Sequence, residues 1–262
     1  MLEVKNITKI YNQGTVTEHT LFENFSLTVA DGQFVSIVGS NGSGKTSLLN
    51  IICGSIPIVQ GVVVVDGTPI TRLREYQRYA SMGRVYQDPS AGTCPGLTML
   101  ENLSLAENKG KPFGLGRAVD RKRIESYREQ LRSLGLGLED KLDVKMGALS
   151  GGQRQAVSLL MATMTPLKFL ILDEHTAALD PATAEVVLEL TKKIVAENNI
   201  TCLMITHNLA SSLALGNRTI MMAGGHIKLD LKGADREGLT ADDLLRLFRS
   251  QGLDNDRILF SE

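Results

Sequence analysis

The sequence predicts an α/β fold built around a phosphate-binding loop, and three observations carry that prediction. Gly39-Ser40-Asn41-Gly42-Ser43-Gly44-Lys45-Thr46 brackets a turn with glycines and ends in lysine and threonine, directly after the apolar run Phe34 to Val38. Far downstream, Leu149-Ser150-Gly151-Gly152-Gln153 places a Ser-Gly-Gly nest at the start of a predicted helix, where free backbone N–H groups hold an anion. Phe169 to Leu172 and Thr201 to Ile205 are short, continuous apolar runs separated by a helical segment, the pattern of fully buried parallel strands. The chain thus carries two phosphate cradles but only one such lysine.

Each element follows from local signals. Lys45 to Cys53 reads as a helix closed by Gly54, and Val62 to Val65 as a short β-branched strand ended by Asp66-Gly67. Between about Pro89 and Leu149 the strand pattern disappears, and Asp120 to Leu134 shows helical periodicity through Ile124, Tyr127, Leu131 and Leu134. This predicts a helical lobe inserted into the α/β core. Asp180 before Pro181 supplies an N-cap and a pre-set first residue for a helix reaching Asn198. After Arg218 a hairpin is expected, with Thr219 to Met222 and His226 to Leu231 joined through Gly224-Gly225. Thr240-Ala241-Asp242-Asp243 resembles a capping box with aspartate in place of glutamate, leading into Leu244, Leu245, Leu247 and Phe248. The ordinary reading is a helix packed on its own core; the other is an amphipathic partner helix.

At 262 residues the chain can bury a substantial core as one large or two modest lobes. A net charge of −1 and a pI near 6.5 offer no broad attraction to nucleic acid or anionic lipid, so no nucleic-acid partner is expected. Cys53, Cys94 and Cys202 are odd in number, far apart and without metal-ligand spacing, which predicts reduced thiols, two of them buried. Met1-Leu2-Glu3-Val4-Lys5-Asn6 has neither the basic start nor the apolar stretch of an export signal, so a cytoplasmic protein is expected. No run approaches the roughly eighteen apolar residues that span a bilayer. Any membrane part would be another chain.

The chemistry can be read residue by residue. Backbone N–H groups from Asn41 to Thr46 are suited to wrap a β-phosphate, Lys45 to neutralise phosphate oxygens, and the Thr46 hydroxyl to meet Mg²⁺. Phe169-Leu170-Ile171-Leu172-Asp173-Glu174 ends a buried strand in two carboxylates, one suited to a cation and one to polarising water. On residues alone the pair equally fits an acidic strand-to-loop transition. His207 ends the next strand and by itself reads as structural. Gln87, in Val85-Tyr86-Gln87-Asp88-Pro89, reads as a loop glutamine, and Tyr11 as a strand tyrosine whose ring can stack on a base.

The phosphate loop with its neighbour Ser47, Gln87, the Leu149 to Gln153 signature, Phe169 to Glu174, Ala178-Leu179-Asp180 and His207 occur in the order of the ATP-binding subunits of ABC transporters. The chain resembles that family from about Met1 to roughly Leu231. The resemblance implies a P-loop NTPase cassette, with a RecA-like α/β core at 1–88 and 150–231, an antiparallel β subdomain, and a helical subdomain at about 89–149. A short helical tail, 232–262, lies beyond the resemblance. ATP and Mg²⁺ are the implied ligands, with Lys45, Glu174 and His207 as catalytic residues. Nucleotide contacts are implied for Tyr11, Gly39, Ser40, Asn41, Gly42, Ser43, Gly44, Lys45, Thr46, Ser47 and Gln87, and for Ser150, Gly151, Gly152, Gln153 and Asp180. Thr46, Gln87 and Asp173 are the implied metal ligands.

The family also implies partners. ATP is sandwiched between the phosphate loop of one subunit and the signature of a second copy arranged head to tail, on permease subunits at the inner face of the membrane. An extracytoplasmic solute-binding protein is an indirect partner. Separate cassettes of this kind resemble bacterial importers, and Thr201 to Asn208 with Gly216 to Met222 looks like a subgroup serving amino acids, aromatic ones included. The alternative is a soluble ABC ATPase in assembly, repair or translation; against it stand the absence of a tandem cassette, a long coiled-coil insertion or a basic face. A regulator without turnover is opposed by Glu174 and His207. One departure stands out: His175 follows Glu174 where the family usually has proline. It is read as a tolerated substitution that leaves the stiffness of the loop to Asp180 open and introduces a group expected to titrate near neutral pH. Arg121-Lys122-Arg123 reads as a solvated helix face.

Overall fold

The computed structural model describes residues 1–111 and 118–250, which form two compact units, one from Met1–Tyr79 with the chain from Asn199 on, the other from Ala80–Asn198. In the first unit β1 (Leu2–Tyr11) pairs antiparallel with β2 (His19–Val29), and residues such as Leu2, Val4 and Ile7 are buried. β3 (Phe34–Gly39) is buried along its whole length, Ser36 included. It leads through the glycine loop into α1 (Lys45–Cys53), which stops at Gly54 in a left-handed conformation. β4 (Gln60–Val65), β5 (Thr68–Pro69) and the single turn α2 (Glu75–Arg78) complete this half, giving a sheet in the order β2-β1-β4-β5. The buried Arg78 guanidinium donates to the Ile51 and Ile52 carbonyls at 2.8 and 2.9 Å, satisfying the C-terminal end of α1.

The second unit holds the parallel pair β6 (Met82–Val85) and β7 (Phe169–Asp173), with Val85 opposite Leu172. Its helices are α3 (Met99–Glu107), α4 (Ile124–Arg132), α5 (Gly151–Thr163) and α6 (Pro181–Glu197). The periodic stretch from Asp120 begins as a 3₁₀ turn, Arg121–Arg123, capped by the Asp120 side chain, before α4 buries Tyr127 and Leu131. Arg121 and Lys122 are exposed as expected. Arg123 pairs with Glu107 and lies over the Tyr127 ring while its side chain stays 43% exposed, so it remains a solvated charge with a partner.

The chain then returns to the first unit with β8 (Cys202–Ile205), α7 (Leu209–Leu215), β9 (Arg218–Ala223), β10 (His226–Lys232) and α8 (Ala241–Ser250). Strands of this unit run in the order β10-β9-β3-β8, with β3 parallel to both β8 and β9 and the hairpin β9–β10 antiparallel. The aspartate capping box forms as read: the Thr240 N–H donates to Asp243 at 3.0 Å and the Asp243 N–H to the Thr240 hydroxyl at 3.2 Å. Leu244 and Phe248 of α8 are buried against Val38, Leu209 and Met221, so this helix packs on its own core. Residues 251–262 of the tail lie outside the described residues. Cys53 and Cys202 are buried thiols and Cys94 is an exposed one, none of them in a disulfide. No helix among the described residues is long and apolar enough to cross a membrane.

Because Phe248 is fully enclosed, Phe248→Ala is expected to lower the unfolding free energy by about 3–5 kcal/mol, read from urea denaturation midpoints.

Candidate active site

β3 delivers the chain to Gly39, which the register sets beside Met222 of β9. A Cβ at Gly39 would lie 2.1 Å from the Met222 carbonyl oxygen, so only glycine fits. Ser43 N–H closes a turn onto the Ser40 carbonyl at 3.2 Å, and Gly44, at φ 101°, is the left-handed residue that starts α1. No side chain caps that start, which leaves first-turn N–H groups of Lys45, Thr46 and Ser47 directed at the loop. Lys45 is buried and its ammonium donates to the carbonyls of Gly39 at 2.6 Å and Ser40 at 2.8 Å. Asn41, Gly42 and Thr46 are exposed at the rim. The loop thus gathers backbone donors beside one buried ammonium, an arrangement suited to a polyphosphate.

Two further sequence candidates join it in the same unit. Tyr11 ends β1 with its hydroxyl 3.1 Å from the Ser47 hydroxyl, and the Lys9 ammonium sits 4.6 Å from its ring centroid. Ile37 of β3 pairs with Ile205 of β8, and the Thr206 N–H donates to Ile37 at 3.2 Å. Both strands therefore run out at one level, and His207 leaves the same sheet edge as the phosphate loop.

In the second unit, Val85 and Leu172 are level, so Gln87 and the Asp173-Glu174 pair follow neighbouring strand ends. Gln87 is exposed. Asp173 accepts from the Arg84 guanidinium at 2.6 Å; both side chains are nearly excluded from water, at 12% and 7% exposure, and Arg84 also lies 4.5 Å from the Tyr86 ring centroid. Arg84 was not anticipated; the only sequence signal is a charge within the otherwise apolar Met82-Gly83-Arg84-Val85. Glu174 has φ 48°, left-handed for a residue with a Cβ. His175 is buried, with Nε2 3.1 Å from the Thr191 hydroxyl of α6. Burial pushes its imidazole down to about 4, which corrects the expectation of a group titrating near neutrality: the ring has no water to stabilise its cation.

The signature forms the start of α5. Ser150 accepts from the Gln153 N–H and donates its own N–H to the Gln153 side chain, both at 3.3 Å, leaving the N–H groups of Gly151 and Gly152 as first-turn donors. Arg154, also missed in the sequence, donates to the Met146, Gly147 and Leu149 carbonyls and to the Ser90 hydroxyl, holding the strand of chain that enters the signature. Asp180 caps α6 by accepting from Thr183 N–H at 3.0 Å, which holds its carboxyl below the usual range. The two helix starts touch: a Cβ at Gly152 would lie 1.9 Å from Thr183 Cγ2.

Residues 22–177 match the ABC transporter family. The chain belongs to that family. Along 95% of its length and 98% of the relative's, this cassette is 49% identical to a tyrosine transport ATP-binding protein of Clostridioides difficile (strain R20291). It is 37% identical to the thiamine import ATP-binding protein ThiQ of Vibrio parahaemolyticus over 78% of this chain and 82% of that one. Among solved structures it resembles a dimeric post-hydrolysis state of the ATP-binding cassette MJ0796 bound to ADP and Pi, with 31% identity, a TM-score of 0.75, and coverage of 88% of this chain and 98% of that one. The fold is that of an ABC cassette, and the chain is an ATP-binding, ATP-hydrolysing subunit coupled to transport. Cassettes of this family form dimers and work with membrane permeases.

Thr46 in the first unit offers a hydroxyl, and in the second Gln87 offers an amide oxygen and Asp173 a carboxylate; each is an oxygen donor of the kind a hard divalent cation takes. Among the described residues no group of three or more His, Cys, Asp or Glu side chains forms a metal cage.

Gly152→Ala is expected to cost about 1–3 kcal/mol by overpacking against Thr183, measured by chemical denaturation. Thr183→Ser, which removes the clashing methyl, is expected to restore most of that loss in the double variant.

Proposed function

We propose that this cassette powers uptake of an amino acid, aromatic amino acids being the favoured class, through a separate permease on the cytoplasmic face of the membrane. The observation that carries the cargo class is the near full-length similarity to a tyrosine transport ATP-binding protein. An extracytoplasmic solute-binding protein would deliver the cargo, since nothing in the cassette contacts it.

The catalytic reading rests on two kinds of anion site in one chain. Lys45 and the amides from Asn41 to Thr46 take the β- and γ-phosphates, and Tyr11 stacks on the adenine. Ser150, Gly151, Gly152 and Gln153 take the γ-phosphate of a nucleotide held by a second copy, so two chains arranged head to tail form two equivalent sites. Asp180 lies at the base of the same helix pair, and it would contact that nucleotide. Mg²⁺, held by Thr46, Gln87 and Asp173, would neutralise phosphate charge. Glu174 accepts a proton from the attacking water, and His207 fixes the γ-phosphate and that water. ATP binding then closes the dimer and hydrolysis lets it open.

Glu174→Gln is expected to keep ATP affinity while abolishing steady hydrolysis and trapping a dimer on gel filtration; normal turnover would remove Glu174 from the role of base. In the wild type, the rate per chain should climb with protein concentration and vanish in Lys45→Ala.

Cargo is tested in proteoliposomes carrying the cassette with its permease and binding protein. ATP-dependent accumulation of radiolabelled tyrosine is expected, and accumulation of thiamine without tyrosine would overturn the amino-acid assignment.

A further inference from the structure

We propose that His175 is a positioning residue that clamps the loop after β7 onto α6 through Thr191, and so holds Glu174 in its left-handed, productive orientation. The inference rests on the reading of Glu174 as the base.

The hydrogen-bond directions can be assigned from proton count. The Thr191 hydroxyl has one proton and donates it to the Val187 carbonyl, one turn back along α6, at 2.7 Å. It must therefore accept from His175, whose Nε2 lies 3.1 Å away and carries the ring proton. Thr191 is fully buried and His175 is 2% exposed, so water cannot replace either partner. A buried bond of this kind is made or lost as a unit, and its loss leaves an unsatisfied donor.

Glu174 sits between two fixed neighbours. On one side Asp173 is the last residue of β7, tied to Arg84. On the other His175 is tied to α6. The loop beyond closes on itself through Ala177 N–H to Glu174 O at 3.0 Å and Leu179 N–H to Thr176 O at 3.2 Å. A residue with a Cβ stays left-handed only where its surroundings over-determine it, and here a restraint lies on each flank. Proline at 175 would restrict one backbone torsion without reaching α6; the imidazole reaches α6 and leaves the backbone torsion to the fold. Loss of the clamp lets the Glu174 backbone relax, and small displacements of a general base lower the rate steeply.

The test compares Thr191→Val, which keeps shape and removes the acceptor, with Thr191→Ser, which keeps it. A second pair acts from the other partner: His175→Gln presents an amide N–H near the Nε2 position, and His175→Leu does not. The full chain is assayed well below its melting temperature, at concentrations that dimerise. Thr191→Val and His175→Leu are expected to lose about 10-fold or more in kcat with KM for ATP within about twofold. Thr191→Ser and His175→Gln should stay near wild type. Hydrogen exchange at the Ala177 and Leu179 amides should quicken by about 10-fold in the two disabling variants only, a readout that needs no catalysis.

The proposal is overturned if both disabling variants hydrolyse within about twofold of wild type, or if kcat falls and KM rises together with loss of a cooperative melt, which would make the bond merely structural. Glu174→Gln run alongside separates the two inferences. A dead Glu174→Gln with an unaffected Thr191→Val sinks the clamp alone, whereas an active Glu174→Gln sinks the reading of Glu174 as the base.

Discussion

The close approach of two backbones at Gly39 is the constraint on which the nucleotide-binding unit depends. With Gly39 level with Met222 and a Cβ there 2.1 Å from the Met222 carbonyl, β3 and β9 stay in register up to the point where the loop must leave the sheet. The turn between β9 and β10 also meets the loop: a Cβ at Gly225 would be 1.7 Å from the Leu21 carbonyl, and the Gly225 N–H donates to Ser43 O at 3.1 Å. Behind this, Val38 and Met221 share a cluster with α8. The loop is therefore shaped from outside by backbone and from within by the Lys45 ammonium, which ties the Gly39 and Ser40 carbonyls.

The second unit solves its helix starts in a similar way, by contact too close for any side chain at Gly152. Its strand ends carry a different device, the Arg84–Asp173 ion pair. Removing two charges from water costs several kcal/mol per ion, so such a pair adds little net stability, yet breaking it leaves a lone buried charge. Its value lies in fixing where the carboxylate points. The Gln155 side chain of α5 adds a link by donating to the Tyr86 carbonyl at 3.0 Å, beside the ring on which Arg84 rests.

What the sequence disclosed was local. The phosphate loop, the apolar strand runs, the hairpin at Gly224-Gly225 and the aspartate capping box at Thr240 all depend on neighbours a few residues apart, and each appears at its expected place. What stayed hidden was tertiary: Arg84 meets its aspartate 89 residues away and His175 meets its threonine 16 residues away. No spacing rule announces either partner. The expectation of a near-neutral His175 failed for the same reason, since it took the pKa of an imidazole in water, and burial is a property of the packed chain. Nor does the sequence show that the solvated Arg123 pairs with Glu107, 16 residues back.

Lys45 adds a consequence for selectivity. Its ammonium is satisfied by two carbonyls of the loop it serves, so an incoming anion meets a cation that is already solvated by protein. Binding is thus an exchange of charge–dipole bonds for charge–charge bonds. A singly charged anion gains little from that trade, whereas a ligand bearing several phosphate charges gains on every oxygen it places. Discrimination between polyphosphates and the abundant simple anions around them begins with the loop competing for its own lysine.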